Sequence, residues 1–166
     1  MITIIIKQSF TELKNILLST IISNIDILKA LVIYSEDFLS KTPSEEEQQK
    51  LDRPYEIIRK QIFPYKGVSL TTIEQKPYIT MNFYNFRKKS NNFISGMIQF
   101  FIIIPEQLEP TYEGSRYDFI ADKIEEILSD TGIGVFEFQG RGDIDIKDGF
   151  LGHTVSFEIT DFYIRT

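Results

Sequence analysis

Three aspartates crowd one short stretch, RGDIDIKDG at 141–149, where Asp143, Asp145 and Asp148 precede Gly149. Hard oxygen ligands at that density would suit a calcium loop, which needs acidic or amide side chains at positions 1, 3 and 5, glycine at 6 and glutamate at 12. Counted from Asp143, the fifth residue is Lys147, the glycine comes seventh and the twelfth residue is Thr154. The register fails, and an acidic hairpin loop is expected instead. The same stretch spells Arg-Gly-Asp, the adhesion tripeptide, but those residues are also an ordinary turn composition.

His153 is the only histidine, so the chain has one imidazole base and no multi-histidine metal site. It opens the last predicted strand, where a structural or exposed role is expected; no G-x-S-x-G turn exists to expose a serine nucleophile for it. Asp118, Asp122, Glu125 and Glu126 could pair as acid and base, yet their spacing is also that of the solvated face of an amphipathic helix. With no cysteine, disulfides and thiolate chemistry are excluded. TGIG at 131–134 lacks the length and the lysine of a phosphate loop. No catalytic residue, metal or cofactor is assigned on these grounds. The basic run Arg87, Lys88 and Lys89 follows Tyr84 and Phe86 and could meet phosphate or an acidic neighbour. Its simpler role is to protect a sheet edge.

At 166 residues the chain is most simply one domain, read as a helical region with a loop over 1–53 and a sheet core over 54–166. The net charge of −6 is unevenly spread: residues 1–105 hold 13 Lys/Arg against 10 Asp/Glu, and residues 106–166 hold 5 against 14, which is −9. An acidic surface is therefore expected from the last third, with Asp118, Asp122, Glu125, Glu126, Asp143, Asp145 and Asp148 as its candidates. MITIIIKQSF has neither a basic leader nor a small-residue cleavage site. The most apolar run, SGMIQFFIIIP at 95–105, is far shorter than the roughly 20 residues of a membrane span and ends in proline. A soluble protein without a membrane partner is expected.

The elements that must position these residues follow from periodicity. Ser9 and Glu12 have capping-box spacing, and Phe10, Leu13, Ile16, Leu17 and Ile21 recur at helical intervals behind them. A break at Ser23-Asn24 can cap a second helix. SKTPSEEEQQKLDRP at 40–54 reads as an exposed loop that can carry one helical turn. YITMNFYNF at 78–86 alternates as a strand and turns through RKKSNN into 95–105, the expected centre of the sheet. PEQLEPTYEGS at 105–115 is a long connection. RYDFIADKIEEILSD at 116–130 is the clearest helix. VFEFQG at 135–140 and HTVSFEITDFYI at 153–164 are further strands, separated by a turn-rich excursion. The order predicts an α+β fold, a mainly antiparallel sheet with helices packed on it and a helical N-terminal region.

Over residues 55–166 the succession IFPYK, PYITMNFYNF, a basic turn, a hydrophobic strand, GSRYDFIADKIEEIL, GIG and VSFEITDF resembles the tail-terminator, or tail-completion, proteins of tailed bacteriophages. The likeness covers about two-thirds of the chain and rests on pattern; the N-terminal helices and SEEEQQ stand outside it. It implies a non-enzymatic virion protein made in the host bacterial cytoplasm. Such a protein forms a ring with copies of itself, commonly a hexamer, at the head–tail neck. The ring ends the tail tube, docks it to the head connector, and lets DNA pass without specific binding. Arg87, Lys88 and Lys89 are then the expected intersubunit contacts, reaching the acidic third of a neighbour. Other readings are a different neck or head–tail adaptor, a monomeric protein-binding adaptor, and a small hydrolase built on carboxylates and His153.

Overall fold

The computed structural model describes residues 2–66, 74–88, 93–130 and 134–163. Its first half is helical: α1 (Ile2–Ile22), α2 (Ile25–Val32) and α3 (Glu45–Asp52), followed by a short 3-10 turn (Pro54–Ile57). The second half is a sheet with one helix inserted. Strands β1 (Ile62–Phe63), β2 (Tyr78–Lys88) and β3 (Phe93–Pro105) precede a two-stranded turn of β4 (Pro110–Thr111) and β5 (Gly114–Ser115). Helix α4 (Arg116–Leu128) and strands β6 (Val135–Ile144) and β7 (Phe150–Tyr163) complete the order. The main sheet runs β1-β2-β3-β7-β6, antiparallel throughout except for the parallel pair β1–β2. The expected α+β class is what the chain adopts, and SGMIQFFIIIP lies in the middle strand.

Period-two alternation decides which side of each strand is buried. On β3, Ile94, Ile98, Phe100, Ile102 and Ile104 face the helices, joined across the ladder by Ile79 and Met81 of β2 and Val155, Phe157 and Ile159 of β7. Leu13, Leu17 and Ile21 of α1, Leu28 and Leu31 of α2, and Ile120 and Ile124 of α4 close over them in the same core. Each such buried side chain is worth roughly 1.5–3 kcal/mol. None of the described helices packs on the opposite face. There a small cluster of Tyr78, Ile103 and Phe150 sits at one end, and the middle mixes Asn82, Gln99 and Ser156 with Met97 and Phe101. Gly96 is required by close approach, since a Cβ there would stand 2.4 Å from the Phe86 ring.

Several expectations are corrected. Helix α1 already runs from Ile2, so Ser9 lies inside the helix and is not its cap. The break before α2 is as read: Asn24 caps it by accepting from the Ile27 amide at 3.0 Å. The 40–54 segment holds a full two-turn helix. Ser44 is its N-cap, and Glu47 returns the bond to the Ser44 amide at 2.7 Å, so the capping box belongs here. Its three glutamates also suit the positive end of a helix dipole, which offsets the low apolar content that made it look like a loop. The excursion at 141–152 shrinks to 145–149. The glycines of QGRGD read as turn formers, but Gly140 accommodates a bulge and β6 continues pairing with β7 through Ile144.

Among the described residues no single helix is long and apolar enough to cross a membrane. Thr11–Ile22 and α2 together have the composition, but they meet at a 77° bend and bury Leu13, Leu17, Ile21, Leu28 and Leu31 in the core.

Candidate functional site

The acidic residues singled out from the sequence come together around a cation that the sequence reading passed over. Arg141, the first residue of RGD, projects from β6 on the helix-bearing side of the sheet. Its guanidinium reaches Asp118 at 3.5 Å and Glu125 at 3.3 Å, and it also bonds Asp122. One turn of α4 separates successive members of this set, which is how three carboxylates converge on one group. Partial burial pulls the Arg141 pKa down, but hydrogen bonds and charge from Asp122, then Tyr117 and Glu125, outweigh it and hold the guanidinium above its usual value. Glu126 turns the other way and pairs with Lys123 at 3.1 Å, while Lys123 also reaches Asp26 of α2 at 3.5 Å. The face of α4 expected to be an open acidic surface is thus partly neutralised within the chain.

Asp143 lies on the same side of β6, directly opposite His153 in the ladder. Its carboxylate stands 2.8 Å from the His153 Nδ1, and the imidazole stacks on the Tyr117 ring at 3.8 Å between centroids. The Asp143 contact orients the ring and leaves Nε2 as its other nitrogen. That atom is buried and has no hydrogen-bond partner among the described residues. Between Asp143 of β6 and Tyr117 of α4, the imidazole is placed as a clamp between sheet and helix. Asp145 and Asp148 are exposed in the tight turn, where Gly149 has φ +89°.

A second buried centre, Arg116, escaped the sequence reading altogether. The residue is completely inaccessible to solvent. Its Nε donates to the Leu108 carbonyl at 2.7 Å, Nη1 to Ala30 at 2.7 Å and Ile33 at 3.0 Å, and Nη2 to Ser35 at 2.9 Å. The Phe38 ring lies 4.7 Å from its central carbon. Burial pushes its pKa down to about 10, against the opposing charges of Glu109 and Tyr34. Ala30 and Ile33 are at the end of α2, whose free carbonyls need donors. Arg116 supplies them and so fastens α4 to α2. Beside it, Ser115 caps α4 by accepting from the Asp118 amide at 3.2 Å and donates its own proton to Glu109 at 2.5 Å. Burial raises the Glu109 pKa, moderated by the Ser115 bond and the His153 charge.

Of the predicted contact residues, Arg87 and Lys88 are exposed at the end of β2, and Lys89 lies outside the described residues. An open cleft of about 430 Å³ lies beside them, lined by Asn85, Phe86, Arg87, Ser95, Gly96, Met97 and Glu158. It forms where both ladders of β3 slip register, between Tyr84 and Arg87 on one side and Ile94 and Gly96 on the other. Glu158 faces Glu137 across the β6–β7 ladder. This like-charge pair was missed because strand register, which no local pattern reveals, brings it together.

No curated protein matches the chain. A family model does: residues 24–159, from the cap of α2 to the last core residue of β7, match YomW, and the chain accordingly belongs to the YomW family, a phage-like protein family.

Proposed function

We propose that this phage-related protein is a non-enzymatic structural component of the virion neck, forming a ring that ends the tail tube and docks it to the head connector. The observation that carries this reading is the one-sided sheet. Every described helix that packs on it does so on one face, and the opposite face leaves Asn82, Gln99 and Ser156 partly exposed beside Tyr84, Met97 and Phe101, with Gln99 bonded to Ser156 at 3.3 Å. Charged strand side chains on that face are Glu137, Glu158 and Arg87 by register. Glu137 and Glu158 repel phosphate at one end of this face, against Arg87 there and the Lys66 ammonium 5.7 Å from the Phe101 ring, which suits a wall that DNA passes without being held. The buried Nε2 of His153 accords with a role outside catalysis.

The partners of this reading are further copies of the chain, a tail-tube protein and a head connector, with no cofactor and no membrane. Negative-stain microscopy and mass photometry of the purified protein should show closed rings, and a phage tail-tube protein should be retained by them. A protein that stays monomeric at high concentration and does not bind the tail tube would rule the reading out.

A further inference from the structure

The sheet has two free edges at the same end, and they carry opposite charge. On one side β6 pairs with β7 alone among the described residues. On the other, β1 covers only Ile79 and Thr80 of β2, so the outer edge of β2 from residue 82 to 88 has no neighbouring strand among the described residues. The β6 edge exposes Val135 (52%) and Phe138 (47%) and bears Glu137 opposite Glu158. Directly opposed like charges destabilise a ladder, and neither carboxylate has a cation within 4 Å among the described residues. The β2 edge ends in exposed Arg87 and Lys88, which likewise form no ion pair there. Glu158 also borders the open cleft, which leaves it approachable from outside.

We propose that β6 of one copy pairs antiparallel with the free edge of β2 of a second copy, so that Glu137 and Glu158 receive Arg87, which shares their face, while Lys88 adds positive charge to the same edge from the other face. The inference rests on the ring-forming reading and names the contact through which the ring closes. Strand direction favours it: β2, β3, β7 and β6 alternate, so placing the next copy's β2 beside β6 continues the antiparallel order. The two surfaces differ, which makes the contact head-to-tail, the kind that generates rings. Charged residues at both edges discourage indiscriminate strand addition, while their complementarity selects this one pairing. The acidic face of α4, already occupied by Arg141, is not the acceptor.

Charge reversal tests this in the full chain. By sedimentation velocity, Arg87→Glu with Lys88→Glu should raise the concentration needed for assembly by about tenfold or more, as should Glu137→Lys with Glu158→Lys. Mixing the two variants should restore assembly, since every contact then joins opposite charges. If the wild type assembles but both variants do so equally well, or if mixing folded variants restores nothing, this contact is wrong while the ring reading stands. A wild type that remains monomeric overturns both. Because the chain contains no cysteine, Arg87→Cys mixed with Glu137→Cys, two positions on the same face, gives an independent readout. A disulfide-linked heterodimer is expected under mild oxidation, and its absence while the wild type forms rings counts against the contact.

Discussion

Arg116 ties several elements together through one side chain. A guanidinium is suited to this place because its planar fork addresses several carbonyls at once and is less strongly hydrated than an ammonium. It gathers the end of α2, the following turn and Leu108 onto the start of α4. Arg116→Lys keeps the charge but cannot span four carbonyls, and each buried acceptor left unsatisfied costs about 1–3 kcal/mol. A loss of roughly 3 kcal/mol or more is expected in urea unfolding, with the dependence on denaturant unchanged. Glu109 beside it makes a pH-dependent contribution. Its folded pKa is raised by burial, so between the unfolded value and that raised value the folded state holds the extra proton. Stability from this group is full below the usual glutamate pKa and falls as pH rises through the folded one. Glu109→Gln should flatten that decline in unfolding free energies measured from pH 4 to 8. Neither residue was legible beforehand: an arginine at the start of a helix resembles any solvated arginine until the carbonyls around it are known.

Among the elements, α3 shows how local chemistry can rescue a segment with little apolar content. Ser44 and Glu47 satisfy each other's amides, Lys41 adds an ion pair to Glu47 at 3.2 Å, and Leu51 anchors the helix in the core. The bond from the Ser44 amide, against a smaller burial effect and with help from Lys41, lowers the Glu47 pKa. Ser44→Ala should therefore cost about 1 kcal/mol, read as a fall in thermal midpoint, while the retained backbone amide keeps the Glu47 carboxyl below its ordinary value in an NMR titration. The signal was present in the sequence as Ser-x-x-Glu, but the same spacing at Ser9 and Glu12 drew the assignment, and nothing local separates a box at a helix start from one inside a helix. Strand β6 illustrates the opposite difficulty. Its glycines suggest a turn, and only pairing with β7 pulls QGRGD into the ladder.

For the molecule as a whole, charge and surface act together. With a net charge of −6 and an isoelectric point near 4.9, mutual repulsion keeps copies apart at neutral pH except where charges are complementary. Light scattering should show a solubility minimum close to pH 5, where that repulsion vanishes. Raising the ionic strength at neutral pH should weaken assembly through the proposed Glu137, Glu158, Arg87 and Lys88 contact, because exposed pairs are screened within a Debye length of about 8 Å at physiological salt.

The amino-acid sequence by itself determined the α+β class, the central place of SGMIQFFIIIP, the amphipathic α4 and the Asn24 break, since each depends on periodicity or on a capping side chain within a few residues. The tertiary structure alone decided that Arg141 partly neutralises the acidic face of α4, that Arg116 ties α2 to α4, and that Asp143 and His153 clamp sheet to helix. It also decided that Glu137 meets Glu158. These relations join residues 10 to 86 positions apart. Their partners are selected by strand register and helix packing, which arise from burying the whole core together and leave no trace in any short stretch of chain.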